Sequence, residues 1–146
     1  MGSMTKEILT DANPDAVWDA IRDIGALHTR LVPGFVVDTQ LVPGGRRVTF
    51  ANGRTVEEPI ISSSDSLRRL AWTAKGEGSP FTHYNACVQV HARAAGGSRV
   101  EWTADFLPDN AAPLLDSMMH AGATAMRGAL QALAATPISP RSNTGP

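Results

Sequence analysis

The stretch FVVDTQLVPGGRRVTFANGRTVEEPII, residues 35–61, decides the fold. Apolar and β-branched residues alternate with polar ones along it, and two tight-turn dipeptides, Gly44-Gly45 and Asn52-Gly53, cut it into runs 35–42, 46–51 and 54–61. Strands joined by turns this short must lie antiparallel. The same reading continues downstream through 68–75, 81–94 and 98–107, with Ser63-Ser64-Asp65-Ser66 and Ala95-Gly96-Gly97 as the intervening turns. Upstream, Thr5 to Leu9 reads as a strand. Asn13-Pro14 is an N-cap followed by proline in the first helical position, with Val17, Trp18 and Ile21 on one face. Gly25 breaks that helix, and a second short piece over 26–31 stops at Val32-Pro33-Gly34, because a residue before proline is pushed out of the helical region.

The chain closes on a helix. Asp109-Asn110 and Pro113 open it, and Leu115, Met119, Gly122, Met126, Ala129 and Leu133 fall at three-four spacing, opposite Asp116, His120, Arg127 and Gln131. A helix apolar on one side must lie on a sheet. The expected architecture is therefore α+β: a curved, seven-stranded antiparallel sheet, ordered strand, two short helices, six strands, long helix, wrapped around the C-terminal helix. One domain is expected over 4–136. The opening Met1-Gly2-Ser3 reads as a cloning scar, and 137–146, rich in Pro, Ser and Asn, reads as a disordered tail.

Charge and cysteine content narrow the function classes. A net charge of -1 with no run of like charges leaves no footprint for nucleic acid or an anionic membrane. No apolar run reaches the roughly 18 residues of a membrane span. Cys87 is the only cysteine, so no internal disulfide can form, and a cytoplasmic, soluble protein, monomer or homodimer, is expected. Arginine-rich, lysine-poor composition with abundant alanine fits a GC-rich bacterial genome.

Alternation assigns an inner sheet face: Arg46, Val48 and Phe50; Val56, Glu58 and Ile60; Leu70 and Trp72; Tyr84, Ala86 and Val88; Val100, Trp102 and Phe106. Arg46, Glu58 and Tyr84 are costly to bury without partners. Arg46 and Glu58 on neighbouring strands either form a structural ion pair or line a wet cavity, and Tyr84 is either a core tyrosine or a pocket acid. The alanines of this face and the methionines of the last helix leave volume unfilled. A cavity lined by Phe50, Trp72, Ala86, Trp102, Met119, Gly122 and Met126 is expected, with Glu58, Arg46, Tyr84 and His28 as the groups that carry chemistry. His28 enters because the segment before Pro33-Gly34 is placed to cap the open end of the sheet.

Neither metal nor cofactor is expected. His83, Cys87 and His91 share strand parity, but residues four apart in a strand lie about 13 Å apart, too far for a common ion. His83, Asn85, Gln89 and His91 point away from the inner face, and His120 pairs with Asp116 on the outer helix surface. Gly76-Glu77-Gly78 lacks the third glycine and the strand-to-helix context of a dinucleotide loop. No serine sits in a nucleophile elbow, and Cys87 is mid-strand.

The element order, taken with Val17-Trp18, Arg46-Arg47-Val48-Thr49 ahead of Asn52-Gly53, Glu57-Glu58, Arg69-Leu70 and Trp102-Thr103-Ala104-Asp105-Phe106-Leu107-Pro108, resembles the START-like (SRPBCC, Bet v 1-like) superfamily, and within it the polyketide cyclase/dehydrase-like branch. The resemblance covers Met4 to about Ala135. It implies a helix-grip fold with a deep hydrophobic cavity and an apolar, aromatic or polyketide-like ligand. Plant hormone receptors of the superfamily place a glutamate, an arginine and a tyrosine in the cavity, types that match Glu58, Arg46 and Tyr84. The resemblance implies either cofactor-independent cyclisation or dehydration in bacterial secondary metabolism, or non-catalytic binding by a carrier or sensor. A third class is a protein-interaction module like the superfamily's chaperone activators.

Overall fold

Local signals order the chain in the computed structural model, which describes residues 1–135. The elements are β1 (Gly2–Thr10), α1 (Pro14–Arg22), a 3-10 turn (Ile24–Ala26), a π-type turn (Leu27–Leu31), β2 (Val36–Val42), β3 (Gly45–Phe50), β4 (Thr55–Ser64), β5 (Arg69–Thr73), β6 (His83–Ala92), β7 (Ser98–Leu107), a 3-10 turn (Asp109–Ala111) and α2 (Ala112–Ala135). The Asn13 side chain accepts a hydrogen bond from the Ala16 amide at 2.8 Å, satisfying one of the free donors of the first turn, and Pro14 sits where no donor is needed. Trp18, buried on the inner side of α1, donates its indole N–H to Asp65 at 2.8 Å and so ties α1 to the β4–β5 turn.

All seven strands form one antiparallel sheet in the order β1-β7-β6-β5-β4-β3-β2. Strands β2 to β7 meander. The first strand instead crosses to the far edge and pairs with β7, a long-range choice that local sequence does not specify. Gly2 and Ser3, set aside from the fold on sequence, extend β1 opposite Phe106 and Asp105. The expected helix over 26–31 is a tight 3-10 turn followed by a π-type turn whose Leu27 carbonyl accepts from the Val32 amide at 2.9 Å. The serine-rich stretch is corrected as well: Ser62, Ser63 and Ser64 remain in β4, paired with Ala71, Leu70 and Arg69, and the reversal is at 65–68. Their short polar side chains are tolerated on a solvated strand end, so turn chemistry alone placed the reversal too early. A bulge between Ile60 and Ser62 shifts the register and leaves Ile61 exposed.

Helix α2 lies across the concave face, anchored to β1 at both ends. Lys6 Nζ is 2.6 Å from Asp116 Oδ1, and the Thr10 hydroxyl donates to the Leu130 carbonyl at 3.3 Å. Leu115, Met119, Gly122, Ala123, Met126 and Leu130 are its buried residues. Leu130, completely buried, takes the place expected for Ala129 and Leu133, which are only partly covered. Gly122 is needed where the helix comes closest to the sheet: a Cβ there would meet Trp102 Cη2 at 2.9 Å, Trp102 Cζ3 at 3.0 Å and Phe35 Cε2 at 3.2 Å. Phe106, Ile8, Leu70, Leu115 and Leu130 fill the remaining core, each worth about 1.5–3 kcal/mol of apolar burial. The tail expected over 137–146 lies outside the described residues.

Candidate functional site

The β3–β4 ladder sets the polar centre of the site. Its register puts Arg46 directly across from Glu58, and both face inward, 2 % and 8 % exposed. Arg46 Nε donates to Glu58 Oε1 at 2.8 Å, Nη1 reaches the Ile24 carbonyl at 3.4 Å, and the guanidinium carbon lies 5.5 Å from the centre of the Trp72 ring. A carboxylate, a carbonyl and a π face together compensate a buried cation that would otherwise be prohibitively desolvated. Both alternatives left open by the sequence hold at once: the two residues form a buried ion pair, and both line the cavity.

Tyr84 stands on β6, its backbone carbonyl held by the Thr73 hydroxyl at 2.7 Å and its ring 5.2 Å from that of Phe81. Among the described residues its own hydroxyl has no hydrogen-bond partner. Burial, reinforced by the nearby Glu58 carboxylate, pushes the phenol above its ordinary pKa of 10.0. At neutral pH it is a proton-bearing donor beside a carboxylate.

The space around these groups has two contiguous chambers. The inner one, about 80 Å³, lies between the sheet and α2, walled by Trp72, Val88, Trp102, Leu115, Met119 and Met126, with Leu27, Leu31 and Val32 closing one end. The outer one, about 300 Å³, opens between the β3–β4 turn, the β5–β6 loop and Leu114 of α2. Phe35, Phe50, Glu58, Tyr84 and Met118 belong to both and form the waist between them. A volume near 300 Å³ falls at the lower end of small-molecule sites, and an apolar wall with a few convergent polar groups is what such sites use.

Sequence reading and structure can be compared residue by residue. Arg46, Glu58 and Tyr84 come together, and Phe50, Trp72, Trp102, Met119 and Met126 line the inner chamber. Three residues do not join them. The His28 ring nitrogen Nδ1 is 3.0 Å from the Thr39 hydroxyl, directed at β2, because the π-type turn gives its inward positions to Leu27 and Leu31. Ala86, buried opposite Trp72 and Ala104 on the adjacent strands, forms no part of the cavity wall. Gly122 is likewise no wall residue, since the rings of Trp102 and Phe35 cover it. Met118 lies outside the three-four stripe read from the sequence, and Phe35 and Phe81 read there only as the first residues of β-runs, yet all three line the site. An aromatic at each end of a loop beside a β-run was the available signal. Sequence reasoning also missed the Trp102 indole N–H, which is buried in the wall of the inner chamber and has no hydrogen-bond partner among the described residues.

The remaining reactive side chains lie elsewhere. No histidine lines either chamber. Burial raises the Cys87 thiol above its ordinary range, which makes it a poor nucleophile, on a residue outside the cavity. Among the described residues no group of three or more His, Cys, Asp or Glu is arranged to hold a metal ion, and no helix is long and apolar enough to cross a membrane.

A curved antiparallel sheet gripping one long helix over an apolar cavity defines the helix-grip class. Solved structures share it. XoxI from Bacillus cereus superposes with a TM-score of 0.79 at 22% identity over 89% of this chain and 96% of that one. A START superfamily protein from Mycobacterium smegmatis gives 0.74 at 11% identity over 90% and 98%. The Zhui aromatase/cyclase from Streptomyces sp. R1128 gives 0.75 at 14% identity over 98% and 96%. At these identities the likeness is one of fold. The chain belongs to the polyketide cyclase / dehydrase and lipid transport family, whose model matches residues 1–136. No curated protein matches the sequence.

Proposed function

We propose that this protein binds an apolar, aromatic or polyketide-like small molecule across the two chambers, with Tyr84 and Glu58 at the waist and Arg46 beside them in the inner chamber fixing its orientation. One observation carries this reading: Glu58 and Tyr84 stand where two apolar chambers meet, with Arg46 paired to Glu58, and among the described residues the Tyr84 hydroxyl has no hydrogen-bond partner. A donor in that position selects a ligand with a carbonyl or hydroxyl oxygen. The family and the aromatase/cyclase neighbour support the ligand class. A reducing compartment such as the cytoplasm, and a monomer or homodimer, complete the reading.

Turnover is the second reading, favoured by the proximity of the Glu58 carboxylate to a protonated phenol. Glu58 would take a proton from the carbon α to a ketone, the C–H electron pair would pass to the carbonyl oxygen, and Tyr84 would donate a hydrogen bond to the enolate. As the enolate re-forms the carbonyl, its electron pair would either expel a β-hydroxyl, which leaves as water with the proton held by Glu58, or attack a second carbonyl carbon, whose oxygen takes that proton, completing dehydration or cyclisation. Binding ranks first because protonating Glu58 strips Arg46 of its counterion in a buried site.

Calorimetric titration with 1,8-dihydroxyanthraquinone and 1-naphthol tests the first reading: saturable binding with a raised melting temperature is expected, and no binding to the folded protein overturns it. Incubation with an aryl β-hydroxyketone, followed by mass spectrometry for loss of water, tests the second.

A further inference from the structure

The rim of the outer chamber carries charge that the protein leaves uncompensated. Most cationic side chains end on carboxylates: Lys6 on Asp116, Arg22 on Asp65, Arg30 on Asp19 and Asp23, Arg46 on Glu58, Arg47 on Glu57, Arg68 on Asp15, Arg99 on Glu7 and Glu101. Among the described residues Arg54, Arg69, Lys75, Arg93 and Arg127 do not, and of these only Arg54 and Lys75 line the outer chamber. Arg54 follows the Asn52-Gly53 turn, and its guanidinium makes one bond, Nη2 to the Gly78 carbonyl at 3.4 Å. Lys75 is held beside β4 by paired backbone bonds with Glu57, each 2.8 Å, while among the described residues its ammonium has no hydrogen-bond or ion-pair partner. Asn52, at the same rim, accepts from the Arg54 amide through Oδ1, and among the described residues its two amide N–H donors have no acceptor. Among the described residues the only carboxylate in the lining is Glu58, already committed to Arg46, and the exposed Glu77 of the neighbouring loop is no part of the lining.

We infer that the ligand is an amphiphile, an apolar aromatic body carrying one anionic group, carboxylate or phosphate, which Arg54 and Lys75 hold at the rim while the body enters past Phe35, Phe50 and Phe81. The orientation follows from electrostatics. An anion driven inward would lose its hydration in an apolar chamber and meet the Glu58 carboxylate, whereas at the rim it keeps water and gains two cations. This inference rests on the ligand-binding reading above and adds the charge and direction of the ligand.

The test is calorimetric titration of the whole protein at about 20 mM salt with 2-naphthoate, 2-naphthyl phosphate and the neutral methyl 2-naphthoate. At least one anion is expected to bind about fivefold or more tightly than the ester, as two partly exposed charge contacts allow. That gap should close in the Arg54→Gln/Lys75→Gln double variant, and at about 500 mM salt, while ester affinity stays constant. Both residues are exposed, so the variant keeps the fold. Whichever anion leads identifies the head group. An ester that binds as tightly as both anions overturns the inference and leaves the cavity reading intact. An anion preference that survives the double substitution overturns the assignment to Arg54 and Lys75. Failure of all three probes to bind overturns both readings.

Discussion

Arg46 Nε and Glu58 Oε1 lie 2.8 Å apart in the wall of a cavity, both side chains shielded from bulk water and joined across adjacent strands. Such a pair is weak evidence for stability and strong evidence for interdependence. Replacing one partner strands a buried charge. Arg46→Met or Glu58→Gln is expected to cost about 3–5 kcal/mol in denaturant unfolding, and the double variant Arg46→Met/Glu58→Leu to recover much of that loss. If the recovered double variant still binds an anthraquinone with wild-type affinity, the pair is purely structural.

Tyr84→Phe separates binding from folding. Among the described residues the hydroxyl has no partner to lose, so stability should change by less than about 0.5 kcal/mol, while affinity for a carbonyl-bearing ligand should fall by about 0.5–1.5 kcal/mol, the worth of one neutral hydrogen bond. Equal affinity of variant and wild type would remove Tyr84 from the site.

The same residue predicts a pH dependence. Its phenol ionises above the ordinary value of 10.0 when folded and near that value when unfolded, so the unfolded chain gives up its proton first. Over that window the unfolded state binds fewer protons, and stability must fall as pH rises from about 10. Urea midpoints measured from pH 8 to 11 should decline in the wild type more steeply than in Tyr84→Phe.

The methionines of α2 have distinct roles. Met119 and Met126 are 1 % and 3 % exposed, whereas Met118 is partly exposed and belongs to the waist. Truncating Met119 to Ala should cost about 2–5 kcal/mol through the cavity it leaves. Met118→Ala should cost less and widen the passage, raising the affinity of tricyclic over bicyclic ligands in competition binding. An unchanged size ranking would place selectivity elsewhere.

Gly122→Ala sets helix propensity against packing. Alanine gains about 1 kcal/mol within a helix, but its Cβ would press on Trp102 and Phe35 inside 3.3 Å. Overpacking of about 1–3 kcal/mol should win, with a lowered melting temperature and altered tryptophan fluorescence.

The period-two runs, the glycine turns and the Asn13-Pro14 cap are local, and each was legible because side-chain alternation and backbone restriction act over a few residues. That parity also carried Arg46, Glu58 and Tyr84 to the inner face, and the helix spacing carried Met119 and Met126 to theirs. His28 enters by the position of its segment and not by parity, and it turns to Thr39 because the π-type turn gives its inward positions to Leu27 and Leu31. Ala86 and Gly122 failed because facing inward is not the same as lining a void: neighbouring rings cover a small residue.

Sequence alone therefore determined the order of the seven strands, the helices α1 and α2, and most of the residues that face inward, since these depend on backbone sterics and near-neighbour patterning. Tertiary structure alone decided that β1 crosses to pair with β7, that Arg46 and Glu58 both form an ion pair and line the cavity, and that Phe35, Phe50, Glu58, Tyr84 and Met118 make a waist between two chambers. It also brought Arg54 and Lys75 to one rim. Those relationships join residues distant along the chain, and they arise from how the sheet curves and how closely α2 packs on it, quantities that a local pattern of polar and apolar residues does not contain.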